Sequence, residues 1–383
     1  VPLACKQIAV TGRWNIPAAA LCCVQPTGVP MTATDMQEPR LTSLAHGGGC
    51  GCKIAPGVLS NLLRGSAALP VPPELLVGIE TSDDAAVYKL NDRQALVATT
   101  DFFMPVVDDP HDFGRIAATN AISDVYAMGA TPILALAVVG MPINAISHAT
   151  IAAILDGGAS ICREAGIPIA GGHTIDSVEP IYGLVALGLI DPALLKRNAE
   201  AQPGDLLVLG KPLGVGVMSA ALKKGQLDAQ GYARMIEVTT KLNRPGPDLA
   251  AIEGVHAMTD VTGFGLGGHG LEMARGSGCD LMIDWSAVPR LPGIDALIAA
   301  GHVTGASGRN WASYGAGVAL PQGFGDAERA LLTDPQTSGG LMVACAPNAL
   351  EAVQATFARH GFADAAVIGE VGPHSDAPRV ILR

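Results

Sequence analysis

Within eight residues, His46-Gly47-Gly48-Gly49-Cys50-Gly51-Cys52-Lys53, the chain sets two thiols and a cation among four glycines. Glycine reaches positive φ and lets a backbone approach a ligand closely, at an entropic cost that a merely structural loop avoids. A lysine three residues from Cys50 favours thiolate over thiol. The same ammonium can neutralise a phosphate. The chemistry expected is a soft nucleophile brought to a phosphate on a mobile loop. Two plainer readings stand beside it. One is a metal knuckle of His46, Cys50 and Cys52, although a closed structural zinc site wants four ligands and no second Cys/His pair follows at suitable spacing. The other is a flexible loop without chemistry.

The second feature is a set of aspartates at the ends of expected strands and helices: Asp83 and Asp84, Asp101, Asp124 and Asp260. Hard carboxylate oxygens suit Mg²⁺, which takes one or two protein carboxylates together with phosphate oxygens and water. Several such groups converging would hold more than one ion on a polyphosphate. Taken singly, Asp84 or Asp124 reads as a helix cap. Charged residues make up only 15% of the chain, against roughly 25% in typical domains, and that scarcity gives the set its weight. Glycine turns at Gly171-Gly172-His173-Thr174, Gly214-Val215-Gly216, Gly263-Phe264-Gly265 and Thr337-Ser338-Gly339-Gly340 can cradle anions with backbone N–H groups, or simply end strands. Neither a Walker A pattern nor a G-x-G-x-x-G after a strand occurs, so an ATP site here needs another architecture.

These groups are far apart in sequence, so regular elements must gather them. Val/Ala-rich runs at Ala85–Leu90 and Ala95–Thr100 flank the turn Asn91–Asp92 and read as strands. Helical spacing of apolar residues covers Val58–Leu63, Phe113–Met128 and Ile151–Ala165. Ile133–Val139 and Ile181–Ile190 read as buried strands, and Ile167–Ala170 as a strand ended by Gly171–Gly172. Ala199–Gly204 interrupts the pattern. A second block follows, with strands at Leu206–Leu209, Gly340–Ala344 and Ala366–Val371, and helices at Val217–Lys223, Tyr232–Leu242 and Leu266–Arg275. The alternation predicts a mixed α/β chain of two domains, residues 41–200 and 201–383, behind a poorly ordered extension over residues 1–40.

The 383 residues carry a formal charge of −11, which argues against nucleic acid and against a polybasic membrane anchor. Hydrophobic residues reach 49%, too many for a disordered chain. The 47 Gly and 27 Pro call for many tight turns. The longest apolar stretch, Ala130–Ile143, is broken by Pro132, Gly140 and Pro142 and is too short to cross a bilayer. Lys6 and Arg13 before the run Ile16–Val24 outline a signal peptide, but no cleavage-like site follows. Met31 is a plausible alternative start. Eight scattered Cys without a C-x-x-C framework point to reduced thiols and a cytoplasmic location, with no catalytic role expected for Cys5, Cys22 and Cys23.

In order, the segments His46–Lys53, Asp83-Asp84-Ala-Ala-Val-Tyr88, Thr99-Thr-Asp-Phe-Phe-Met-Pro105, Arg115-Ile-Ala-Ala-Thr-Asn-Ala-Ile-Ser-Asp124, Ala170-Gly-Gly-His173, Met258-Thr-Asp-Val-Thr-Gly-Phe-Gly265 and Asp334-Pro-Gln-Thr-Ser-Gly-Gly340 resemble selenophosphate synthetase (selenide, water dikinase) over about residues 38–383. The Gly-Cys-Gly-Cys-Lys loop separates that family from its relatives in the aminoimidazole-ribonucleotide synthetase superfamily. The resemblance implies that ATP, selenide and water give selenophosphate, AMP and orthophosphate. It implies two α/β domains of α+β type, and a homodimer paired through the N-terminal sheets. Cys50 and Lys53 match the catalytic pair. Asp84, Asp124 and Asp260 match Mg²⁺ ligands. Lys53, Asp101, Asp124 and the segment Thr81, Ser82, Asp83 match nucleotide contacts. Gly172, His173 and Thr174 match a segment lent by the other subunit. Two rivals remain: a superfamily phosphoryl transferase acting on a ribonucleotide or thiamine phosphate, which would not need the thiol loop, and a selenium or soft-metal carrier, which would not need the aspartates.

Overall fold

A computed structural model describes residues 38–54, 58, 62, 71–79 and 83–383. The extension expected over residues 1–40 lies almost wholly outside the described residues, as do Thr81, Ser82 and most of the helix expected at 58–63.

The strands form two sheets. β1 (Leu75–Val77), β2 (Ala86–Asn91), β3 (Gln94–Phe103), β4 (Thr131–Met141), β5 (Ile169–Asp176) and β6 (Ile181–Ile190) make a six-stranded sheet in the order β1-β2-β3-β6-β4-β5. β3 and β6 run antiparallel in unbroken register from Ala95↔Ile190 to Phe103↔Tyr182, whereas β4 and β5 are parallel. A parallel pair needs a crossover, and helix α2 (His148–Ala165) supplies it. Ser147 caps α2 by accepting from Thr150 N, and Gly166 ends it at φ 77°.

Helix α1 (Pro110–Ala127) begins where Asp109 accepts from Asp112 N at 2.8 Å, with Pro110 in the first turn. It is buried on nearly every face, packed against α2, against β3 and β6 of the six-stranded sheet, and against elements of the second half of the chain. Only glycine allows α1 and α2 to approach this closely. A Cβ on Gly114 would stand 1.9 Å from Ile154 O, and one on Gly157 would stand 2.1 Å from His111 O.

β7 (Leu206–Leu209), β8 (Val255–Asp260), β9 (Cys279–Ile283), β10 (Val318–Ala319), β11 (Leu341–Cys345), β12 (Ala366–His374) and β13 (Val380–Leu382) form a seven-stranded sheet in the order β10-β13-β9-β12-β7-β11-β8. Helices α3 (Val215–Lys223), α4 (Ala229–Thr239), α5 (Pro245–Ala250), α6 (Gly265–Ser277), α7 (Ile294–Ala299), α8 (Gly305–Tyr314), α9 (Asp326–Leu332) and α10 (Leu350–Arg359) accompany it. One apolar core joins residues of both sheets, among them Tyr182, Leu207 and Leu281, with Phe113 and Ile122 of α1.

One expectation is corrected. β5 does not end at Gly171–Gly172 but runs through both to Asp176. These glycines sit at φ 149° and 150°, and a Cβ on Gly172 would lie 2.1 Å from Ala137 O. Here glycine lets a strand pass close to its neighbour instead of ending it.

Candidate active site

The thiol loop is folded down onto the protein. Gly49 takes φ 52° and donates its N–H to Met104 O at 2.9 Å. Next to it, Cys50 N donates to Thr337 Oγ1 at 3.2 Å, and Cys50 Sγ lies 3.0 Å from Asn120 Oδ1. Cys52 Sγ turns back to Gly49 O at 3.0 Å. His46 pairs with Glu179 at 2.9 Å. The three groups of the metal-knuckle reading therefore face three different partners.

Lys53 Nζ meets Asp101 Oδ2 at 3.2 Å, its side chain 38% exposed. Burial alone would lower that ammonium's pKa, but Asp101, Cys50 and Asp124 hold it well above the ordinary lysine value. The expectation that Lys53 favours a Cys50 thiolate fails in this arrangement. Burial first, then the charge of Asp101, pushes the Cys50 thiol well up in spite of Lys53.

Behind the loop, Asp84, Asp124 and Asp260 converge, with carboxylate oxygens all within 4.8 Å of one another. They come from the approach to β2, from α1 and from the end of β8. None caps a helix, so the capping reading falls for Asp84 and Asp124. Burial holds all three carboxyls above the usual range, and the charge of Asp260 adds to the effect at Asp84 and Asp124. Hydroxyl groups fix the cluster. Thr259 Oγ1 donates to Asp84 at 2.9 Å, Thr99 Oγ1 to Asp124 at 2.6 Å, and Ser123 Oγ to Asp260. Among the described residues Asp84 Oδ2 is buried without a partner. Crowded like charges with an orphaned hard oxygen fit a divalent cation such as Mg²⁺.

Sequence reasoning found the aspartates but missed the residues that hold them. Asn120 donates to Asp101 Oδ2 at 2.6 Å and accepts from Ser338 N at 2.8 Å, besides facing the Cys50 thiol. Asn120, Ser123 and Asp124 stand at i, i+3 and i+4, one face of α1. A polar triplet at that spacing in the C-terminal half of the helix, among Ala121, Ile122, Val125 and Tyr126, is the available signal. Asn243 Nδ2 donates to Ser123 Oγ and Gly339 O. Ser338 takes φ 53°, and its carbonyl accepts from the buried Lys211 Nζ at 2.7 Å. Burial pushes the Lys211 ammonium down to about 7, against the pull of Asp260.

The other expected site residues are dispersed. Asp83 Oδ1 accepts from Asn198 N at 2.7 Å. Gly172, His173 and Thr174 lie exposed on the edge strand β5.

Two family models match in tandem: "AIR synthase related protein, N-terminal domain" over residues 82–190 and "AIR synthase related protein, C-terminal domain" over residues 202–380. A thiamine-monophosphate kinase structure from Stenotrophomonas maltophilia shares the fold at a TM-score of 0.56 and 23% identity, over 80% of this chain and 91% of that one. Fold and site thus define an AIR synthase related protein. A selenide, water dikinase from Burkholderia pseudomallei is 69% identical over 88% of this chain and 96% of its own length. One from Burkholderia ambifaria is 68% identical over 89% and 96%. The chain belongs to the selenide, water dikinase family and is an enzyme of kinase type.

Proposed function

We propose that this enzyme converts ATP, selenide and water into selenophosphate, AMP and orthophosphate. The observation that carries the reading is the meeting of Asp84, Asp124 and Asp260 within 4.8 Å in a chain whose Cys50–Lys53 loop is tied to the same helix α1 through Asn120.

Asp84, Asp124 and Asp260 would hold Mg²⁺, which supplies charge neutralisation and alignment of the triphosphate. The chain's own groups do the rest. Lys53 exchanges Asp101 for a phosphate oxygen, adding a cation where negative charge otherwise repels the nucleophile. Asp101 and Asp83 contact the nucleotide, together with Thr81 and Ser82. Hydroselenide attacks the γ-phosphorus, the bond to the β,γ-bridging oxygen breaks, and ADP, the leaving group, stays bound. Water then attacks the β-phosphorus of bound ADP, releasing AMP and orthophosphate. The glycine-hinged loop, closing over the site, keeps water from the first step, and Cys50 orients the selenide.

The dimer belongs to the same proposal. Among the described residues β5 is an unpaired sheet edge, exposed from Ala170 to Asp176, and such an edge invites a partner strand. Gly172, His173 and Thr174 would then reach the site of the other subunit. Residues 41–200 would carry the nucleotide and dimer contacts, and residues 201–383 would complete the pocket. Among the described residues no helix is long and apolar enough to cross a membrane, and a cytoplasmic enzyme fits the free thiols Cys50, Cys52, Cys162, Cys279 and Cys345.

³¹P NMR of the purified protein with MgATP and selenide tests the reaction. Selenophosphate, AMP and orthophosphate are expected, and ADP as the only nucleotide product would overturn the reading.

A further inference from the structure

Beside the thiol loop lies a second cavity, of about 300 Å³, to which the proposed reaction gives no role. Its walls include His46 and Gly51 of the loop, Lys223 and Lys224 at the end of α3, Arg309 of α8, and Thr337. Among the described residues no Asp or Glu lines it, in a chain whose net charge is −11.

The cations are anchored by carbonyl oxygens, and of the three Lys223 alone is shown to feel a carboxylate, that of Glu179. Lys223 Nζ donates to Ala45 O at 3.1 Å, Lys224 Nζ to Gly301 O at 3.2 Å, and Arg309 Nη2 to Gly51 O at 2.9 Å. Among the described residues no carboxylate stands within ion-pair distance of any of the three. Two acids on adjoining segments are already paired, Glu179 with His46 at 2.9 Å and Asp108 with Arg40 at 2.6 Å. A carbonyl oxygen fixes an ammonium in place but leaves its formal charge intact. Three such charges on one concave wall draw in an anion.

The donor chemistry narrows the class. Ammonium and guanidinium N–H groups are hard donors, and the guanidinium fork matches an oxyanion. The soft groups face elsewhere, Cys50 Sγ towards Asn120 and Cys52 Sγ towards Gly49 O.

Position supplies the remaining argument. A smaller cavity next to it is lined by Cys50, Lys53, Gly51, Ala306 and Arg309. The two cavities share Gly51, Ala306 and Arg309, so the hydrogen bond from Arg309 to Gly51 is part of the partition between them. We propose that the cationic cleft is a docking site for a small tetrahedral oxyanion. Both phosphorus products of the proposed reaction, orthophosphate and selenophosphate, are of this class. Their assignment as products rests on the dikinase reading, whereas the anion site itself does not.

Inorganic orthophosphate is titrated into the full-length protein, free of nucleotide and at low ionic strength, by isothermal titration calorimetry. One saturable site per chain is expected. Its affinity should fall at least tenfold in Arg309→Gln and in Lys224→Gln, and hold in Asp84→Asn, which alters only the carboxylate cluster. Selenophosphate and sulfate, both tetrahedral oxyanions, are each expected to displace orthophosphate as competitors. The proposal is overturned if wild type shows no saturable binding, or if both cleft variants bind as wild type does. It is also overturned if Asp84→Asn abolishes binding, or if hydrosulfide, a soft anion without oxygen, displaces phosphate more effectively than sulfate does. Neither ATP nor selenide is present, so failure here leaves the dikinase reading standing. Conversely, ADP as the only nucleotide product in the NMR assay would leave orthophosphate binding intact.

Discussion

Cys50 is the residue on which the proposed reaction turns, yet its surroundings keep it protonated. Burial and Asp101 push the thiol well up, and Lys53 is engaged by Asp101 at 3.2 Å. Burial comes first among the causes and Lys53 opposes it, so a reactive Cys50 requires the loop that buries it to open rather than Lys53 to be drawn away. Cys50→Ser is expected to abolish selenide-dependent AMP formation in a coupled assay, and wild-type turnover in that variant would remove Cys50 from the mechanism. Asp84 has the orphaned oxygen of the carboxylate cluster. Asp84→Asn takes away a charged oxygen donor and should raise the Mg²⁺ concentration for half-maximal activity at least tenfold. An unchanged Mg²⁺ titration would remove it from the ligand set.

At the scale of elements, helix ends and one strained loop set the site. Asp334 sits at the start of α3 and accepts from Gly216 N at 3.0 Å, Val217 N at 3.3 Å and Gln336 Nε2 at 3.0 Å. Gln336 Oε1 takes the N–H groups of Gly214 and Val215. The loop from Asp334 to Gly340 thus caps a helix with one end and, through Thr337 and Ser338, holds Cys50 and Asn120 with the other. Burial pushes Asp334 up from 3.8 to about 7, although its hydrogen bonds pull it down. Between those values the folded state keeps a proton that the unfolded chain has released. The contribution to stability is therefore full below pH 3.8, declines as pH rises towards about 7, and changes no further above it. Over the window the loss is on the order of 4 kcal/mol. Urea unfolding of wild type and Asp334→Asn between pH 4.5 and 8 (a range of roughly the stated window) should show the stability difference moving in favour of the variant up to about pH 7. Parallel pH profiles would show that Asp334 titrates normally.

At the scale of the molecule, two sheets share one core, and α1 lies between them. That arrangement lets a helix from the first half hold Asp260 of the second through Ser123. Among the described residues β5 is an open edge of the six-stranded sheet, with Ile175 54% and the following Val178 91% exposed. If this edge pairs with a second copy, Ile175→Asp should convert a dimer into a monomer by sedimentation velocity and reduce turnover with it. A wild-type protein that sediments as a monomer would exclude the pairing.

Much of this was legible in the chain alone. β6 and β7 match their expected bounds, because an uninterrupted apolar run between turn residues leaves little choice of state. The aspartates were legible because carboxylates are conspicuous in a chain so poor in charge. Strands β8 and β9 were not foreseen, since short segments such as Val255–Asp260 acquire their state from the sheet they join. β5 was cut short because glycine marks both turns and close approaches, and only the position of Ala137 decides between them. Residue types thus determined which chemistry was available: thiol, ammonium and hard oxygens. Tertiary structure decided which of them meet, because contacts such as Asn120 with Cys50 or Ser123 with Asp260 join residues 70 and 137 positions apart, a distance over which no local pattern carries information.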